Sequence, residues 1–228
     1  MKASAIIVAA GSGLRLGTKE PKAFIKLGGR TMLSYSLATL AQVADVDEIV
    51  ITVPTGFEAN ARADATTSGV RVPVKITVGG VERQDSVRIA LSLTSAESEL
   101  VIVHDAARPL ADADIFKRCL EAASRVGGAI AAVPVADTLK RVDADRAIVQ
   151  TVARASLWQA QTPQAFRREL LVAAHARALE QKIVATDDAD LVERSGARVE
   201  VVEASSRNLK ITTPADLAMA EAIVASRA

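Results

Sequence analysis

The feature that most constrains this chain is the alternation of short apolar runs with amphipathic segments. Ala5–Ala10, Glu48–Val53, Val74–Val78, Leu100–Val103 and Gly128–Val133 are continuous, rich in β-branched residues and too short for helices. Between them, Thr31–Gln42, Phe57–Thr67, Arg83–Leu93 and Asp112–Val126 carry helical spacing. Strands apolar along their whole length are buried on both faces. The pattern therefore predicts an α/β fold, a largely parallel twisted sheet with helices on both faces. Ligands of such sheets collect at the carboxyl ends of the strands. Three turns fall on that edge: Gly11-Ser12-Gly13, Gly79-Gly80 and His104-Asp105.

After Val133 the alternation breaks. Val135–Asp143 and Ala147–Val152 read as two strands around a polar turn at Asp143–Arg146. Such a protruding β-hairpin is either an oligomerisation arm, at about residues 135–155, or a simple edge hairpin. Regular structure resumes with helices at Arg167–Gln181 and Asp187–Ser195, a strand at Arg198–Val202 and a last helix from Pro214, capped by Thr213. With no repeat, low-complexity segment or linker, residues 1–228 are expected to form a single domain.

Composition excludes several function classes. Lys and Arg number 28 against 27 Asp and Glu, too even for an extended nucleic-acid surface, and aromatic residues are only 3 %, which leaves few stacking platforms. The single cysteine, Cys119, rules out a disulfide framework within the chain, and His104 and His175 are too few for a histidine-rich metal site. No run approaches the roughly 18 apolar residues of a membrane span, and Met1-Lys2 lead directly into the first strand. A cytoplasmic protein without membrane or nucleic-acid partners is expected.

The first glycine turn carries the strongest chemical signal. A strand that empties into Gly11-Ser12-Gly13 exposes several backbone N–H groups at one point, an anion cradle. Arg15 and Lys22 add positive charge beside it, with Pro21 before the lysine. There is no GxxxxGK[ST] motif, so the turn is not a Walker-type loop. A dinucleotide fingerprint would need glycine at position 16, which is Leu16, and an acid closing the next strand, which instead runs into Pro54. The turn thus points to a nucleoside triphosphate used as substrate. His104, at the end of the fourth strand, reads as a packed, hydrogen-bonded histidine.

Several separated motifs resemble those of the 2-C-methyl-D-erythritol 4-phosphate cytidylyltransferases: AAGSGLRLGTKEPK, GGVERQDSV, VHDAARP, PVADTLKR, LWQAQTPQAF, ATDDADLVE and NLKITTPADLAMAE, in the family's order along nearly the whole chain. The resemblance implies a Rossmann-like nucleotidyltransferase fold that moves CMP from CTP to methylerythritol phosphate with Mg²⁺, in a homodimer with shared sites. It assigns Arg15, Lys22 and Lys210 to catalysis. Ala9, Ala10, Gly11 and Gly13 are assigned to the triphosphate and base, and Gly80 and Ser86 to the cytosine edge. Asp105 is assigned to the ribose or a hydrated Mg²⁺, and Arg108 to the sugar phosphate. Thr138 and Arg154 are expected to reach the acceptor from the neighbouring subunit, with Thr162, Thr186 and Asp187 contacting the acceptor or supporting the site. Taken alone, Ser86 reads as a helix-surface residue, Thr162 as a turn former before Pro163, and Thr186 as a cap for the Asp187 helix. Leu14 and Arg207 depart from the residue types usual in the family. The fused cyclodiphosphate synthase of some relatives is not expected after Ala228. Ribitol 5-phosphate cytidylyltransferases carry similar motifs, so the sequence favours methylerythritol phosphate as acceptor and keeps ribitol 5-phosphate as the alternative. A nucleotide-binding module without turnover would predict a damaged cationic set, whereas Arg15, Lys22 and Lys210 are all present.

Overall fold

A computed structural model describes residues 1–11, 13, 16–18 and 20–226 of the protein. In chain order the elements are β1 (Ala3–Val8), β2 (Lys26–Leu27), β3 (Arg30–Thr31), α1 (Met32–Leu40), β4 (Val46–Val53), α2 (Glu58–Thr67), β5 (Val74–Val78), α3 (Arg83–Leu93), β6 (Leu100–Asp105), α4 (Ala113–Val126), β7 (Gly128–Pro134), β8 (Leu139–Val142), β9 (Ile148–Val152), β10 (Trp158–Arg167), α5 (Arg168–Gln181), α6 (Asp188–Glu193), β11 (Val199–Glu203) and α7 (Pro214–Ala225). The described residues form a seven-stranded sheet in the order β11-β7-β10-β6-β1-β4-β5. Strands β1, β4, β5 and β6 pair in parallel, as do β7 and β11, while β10 runs antiparallel to both β6 and β7.

The two-residue period of each strand sorts its side chains to opposite faces. Ile7, Ile49, Ile51 and Ile102 pack on the side of Leu33 and Leu37 of α1 and Phe116 and Leu120 of α4. Ile6, Val50, Val101 and Val103 pack on the other side with Val87 of α3, Leu171 of α5 and Leu191 of α6. Each such side chain taken fully out of water contributes about 2 kcal/mol. Helix starts follow local cap chemistry: Thr31 accepts from Ser34 N at 3.0 Å, Asp112 from Ile115 N at 2.9 Å, and Thr213 and Asp216 form a capping box with Pro214 in the first turn.

Two expectations are corrected. The LWQAQTPQAF segment is a strand, β10, wedged between β6 and β7 with an irregular register between Ala160 and Gln164. Its polar residues and Pro163 hide any strand period, and pairing on both edges supplies what the local sequence lacks. The hairpin is shorter than its apolar pattern suggests. Strand β8 pairs only Leu139–Val142 with β9, and Val135 instead continues the main sheet by donating to Leu157 O at 3.0 Å. The arm therefore grows out of the β7–β10 pair and presents Val142, Ile148 and Val149 at 47, 65 and 57 % exposure. No helix among the described residues is long and apolar enough to cross a membrane.

Candidate active site

A cleft of about 520 Å³ opens at the carboxyl ends of β1, β5 and β6. The chain after β1 turns through Gly13 at φ 72°, where a Cβ would lie 3.0 Å from Glu20 O and 3.1 Å from Lys22 N. Only glycine accepts that backbone and that approach comfortably. Lys22 N donates to Gly11 O at 3.3 Å, which holds the returning segment against the turn and brings Lys22 to the cleft wall. The positive charge of Lys22 extends to Asp216 at the start of α7. The Asp216 carboxyl is held below its ordinary range first by the backbone N–H groups of Thr213 and Thr212, with a smaller contribution from Lys22.

The second wall follows β5. A Cβ on Gly79 would collide with Ala10 Cβ and one on Gly80 with Asp85 Cβ, so the first glycine lets this turn close against the segment after β1 and the second against the start of α3. Ser86 is buried within α3, not on its surface. Its hydroxyl accepts from Gly80 N at 3.1 Å and donates to Glu82 O at 3.2 Å.

Asp105, the last residue of β6, forms the floor. Its Oδ1 accepts from Arg83 Nε at 3.0 Å and its Oδ2 from Lys210 Nζ at 2.7 Å. Burial by itself would raise this carboxyl, but the charges of Arg83 and then Lys210 hold it well below the usual carboxylate range. Thr162 supports it from behind, accepting from Asp105 N at 3.0 Å. The same hydroxyl donates to His104 Nδ1 at 3.1 Å, since His104 Nε2 must carry the proton it donates to Arg108 O at 3.2 Å.

His104 is thus a packed, neutral residue, its pKa pushed down to about 4 mainly by burial. An unfolded chain takes up this proton below about pH 6.5, whereas the native state resists it until about pH 4. The stability contributed by neutral His104 is therefore complete above pH 6.5 and is lost as pH falls towards 4. Urea unfolding of the protein is expected to weaken over that window by roughly 3 kcal/mol more than unfolding of His104→Gln. Parallel pH profiles for the two proteins would refute the assignment.

Nine of the expected site residues line this one cleft: Ala9, Ala10, Gly11, Gly13, Lys22, Gly80, Ser86, Asp105 and Lys210. Arg15 lies outside the described residues. Arg108 is turned inward, donating from Nη1 to Asn208 O at 2.8 Å and from Nη2 to Ala160 O at 3.5 Å. It braces the segment that carries Lys210 and does not line the cleft. Thr138 and Arg154 are exposed on the arm. Asp187, not Thr186, caps α6 by accepting from Asp190 N at 2.9 Å, and its other oxygen accepts from Gln164 Nε2 at 2.8 Å. Sequence reasoning passed over Arg83, which joins Asp105 to Asp188. Its place in the glycine-turn motif GGVERQDSV was the available signal.

Among the described residues, no group of three or more His, Cys, Asp or Glu side chains is arranged to hold a metal ion. Of Glu82 and Asp105, the carboxylate residues among the described lining of the cleft, Asp105 is held between two cations, Arg83 and Lys210. This donor set fits a magnesium ion that arrives on nucleotide phosphates and keeps most of its waters, not a resident ion in a protein cage.

The comparisons agree with this geometry. Residues 3–226 match the family model IspD, 2-C-methyl-D-erythritol 4-phosphate cytidylyltransferase. The enzyme of that name from Deinococcus radiodurans is 46 % identical over 222 residues, 97 % of this chain and 89 % of that protein. Among solved structures, 4-diphosphocytidyl-2C-methyl-D-erythritol synthase of Anaerococcus prevotii superposes with a TM-score of 0.87 at 31 % identity, covering 98 % of both chains. The 2-C-methyl-D-erythritol 4-phosphate cytidylyltransferase of Thermus thermophilus gives 0.82 at 37 % identity, covering 99 % of this chain and 100 % of that one. Motifs scattered along the sequence, the sheet that gathers them and the match over almost the full length lead to one conclusion: the chain belongs to the 2-C-methyl-D-erythritol 4-phosphate cytidylyltransferase family of nucleotidyltransferases.

Proposed function

We propose that this cleft binds CTP and transfers its cytidylyl group to 2-C-methyl-D-erythritol 4-phosphate, releasing pyrophosphate in the non-mevalonate route to isoprenoid precursors. One observation carries the reading: Lys22 and Lys210, from opposite ends of the chain, converge on a single cleft walled by a glycine turn and floored by Asp105. In the reaction, an oxygen of the acceptor phosphate forms a bond to the α-phosphorus while the bond from that phosphorus to the β-phosphate oxygen breaks. Negative charge grows around the α-phosphate, and fixed cations stabilise it best where they need not reorganise. Lys22 and Lys210, with Arg15, supply those cations. The backbone of Ala9, Ala10, Gly11 and Gly13 cradles the nucleotide, and the Gly80 and Ser86 wall faces the base. No proton must leave the nucleophile, which agrees with the buried, fully hydrogen-bonded state of His104. Asp105 would hold, through waters, a magnesium ion carried on the CTP phosphates, which would supply charge shielding there.

The acceptor half of the site extends beyond one chain. Thr138 and Arg154 stand exposed on the arm, and a two-stranded hairpin that presents Ile148 and Val149 to water gains stability when another surface covers it. A second copy of the chain provides that surface in this reading, which makes the protein a homodimer. Thr162, Thr186 and Asp187 complete or support the acceptor side, and the cytoplasm supplies the CTP. Arg154→Ala is expected to raise KM for the acceptor by about 10-fold or more with little change in CTP affinity, as for a lost charged hydrogen bond. A rise confined to KM for CTP would contradict the arm's role.

The deciding experiment compares pyrophosphate release from CTP and Mg²⁺ with methylerythritol phosphate and with ribitol 5-phosphate. Preference for the first supports the proposal. Preference for the second keeps the nucleotide half and changes the acceptor, and silence with both while CTP still binds leaves a binding module.

A further inference from the structure

Behind the cleft, a chain of hydrogen-bonded polar and charged side chains runs from the helices on one sheet face to the edge where nucleotide would bind. His175 Nε2 donates to Asp188 Oδ1 at 3.0 Å, and Arg83 Nη1 donates to Asp188 Oδ2 at 2.8 Å. Arg83 Nε then donates to Asp105 Oδ1, whose second oxygen holds Lys210. Asp188 and His175 are 1 % and 2 % exposed, and neither lines the cleft. Removing a carboxylate such as Asp188 from water costs several kcal/mol, and apolar packing of equal volume would join α3, α5 and α6 at lower cost. An apolar contact cannot, however, set the direction of a carboxylate.

The anchor at Asp188 is itself well fixed. Gln164 Nε2 donates to Asp187 Oδ2, and Ala189 N donates to Gln164 Oε1 at 3.2 Å, which ties the start of α6 to β10. Gln84, next to Arg83, donates from Nε2 to Ile183 O and accepts from Ala185 N, each at 3.0 Å, which ties the start of α3 to the segment before α6.

The two grips on Asp105 differ in kind. Lys210 holds Oδ2 with a flexible side chain that is 42 % exposed. Arg83 holds Oδ1 with a planar fork, 26 % exposed, whose other arm is fastened to buried Asp188. An entering polyphosphate competes for the lysine far more readily than for the anchored arginine. Resting on the nucleotide-binding reading above, we propose that Arg83 is a positioning residue, holding the Asp105 carboxylate in place when Lys210 turns to the triphosphate, with Asp188 and His175 fixing Arg83 from behind. Lys210 exchanges one anionic partner for another. Asp105 Oδ2 is thereby released, still aligned, to accept from a hydroxyl of the bound nucleotide.

A double-mutant cycle on the full chain tests this, combining Asp188→Asn with Asp105→Ala. It is read as kcat/KM for CTP in pyrophosphate release and as Kd for CTP by calorimetry. Asp188 does not line the cleft, and of its two side-chain partners Arg83 is the one that reaches Asp105, so a loss that depends on residue 105 passes through Arg83. Asp188→Asn is expected to lower kcat/KM on the order of 10-fold when Asp105 is present, the scale of a small misplacement of a working group. The loss should shrink to less than about 2-fold when residue 105 is already alanine. Equal losses in both backgrounds signify general loosening and overturn the proposal, as does no loss in the first. Should Asp188→Asn reduce the folded fraction in a thermal melt, Arg83→Lys replaces it in the same cycle under the same criteria, because lysine keeps a charge but cannot bridge both carboxylates. A wild-type protein that binds CTP yet releases no pyrophosphate with either acceptor defeats the proposed transfer function instead, and the cycle is then decided on CTP Kd alone.

Discussion

Replacing Lys22 by alanine is expected to lower kcat by at least about 10²-fold, the scale seen when one preorganised charge-stabilising donor is removed from an active site. Lys22 follows Pro21 and opens a short 3₁₀ turn, Lys22–Phe24, with Ala23 and Phe24 buried beneath it. Its backbone is tied to Gly11 and its segment lies against Gly13. The base of the side chain is thus fixed before substrate arrives, which leaves little reorganisation for the reacting state. For this reason the loss should appear in kcat and in single-turnover pyrophosphate release, with a smaller effect on CTP binding. Near-normal turnover in a protein whose circular dichroism matches wild type would remove Lys22 from the mechanism. A loss confined to KM would reassign it to ground-state binding.

Lys210→Ala is expected to lower kcat/KM for CTP by about 10²-fold through both parameters. Lys210 is bound to a carboxylate in the free protein, 2.7 Å from Asp105 Oδ2. Part of any attraction to a triphosphate is offset by breaking that pair. The variant loses the cation but leaves Asp105 held by Arg83, so the fold should persist. Its binding loss should also lessen at high ionic strength, as for any partly exposed charge. Turnover within about 2-fold of wild type would show that Lys210 serves only to neutralise Asp105.

Much of the fold is legible in local sequence because its causes are local. Strand β4 reads from its unbroken Ile-Val-Ile-Thr-Val run, and Thr31, Asp112 and Thr213 mark helix starts by chemistry that acts within three residues. The helix bounds shift only at their ends, where the expected first residue, Thr31, Asp112 or Asp187, proves to be the cap. Strand β10 was not legible. Trp158–Arg167 contains Pro163 and three glutamines and shows no two-residue apolar period. It becomes a strand because β6 and β7 offer free edges on either side of it.

The same division runs through the site. The glycine turn, Lys22 and the end of β6 could be found because a sheet edge gathers whatever follows its strands, and the order of strands and turns is written along the chain. The turning inward of Arg108, the burial of the Ser86 hydroxyl and the chain from Lys210 through Asp105 and Arg83 to Asp188 and His175 depend on which distant segments become neighbours. By itself the sequence determined a parallel α/β frame, its helix caps and the edge at which anions would bind, since periodicity and capping act over a few residues. Only the tertiary structure decided where β10 inserts and which cation holds which carboxylate. Partners about a hundred positions apart leave no period in the sequence, and their charges become a pair only when burial removes the water between them.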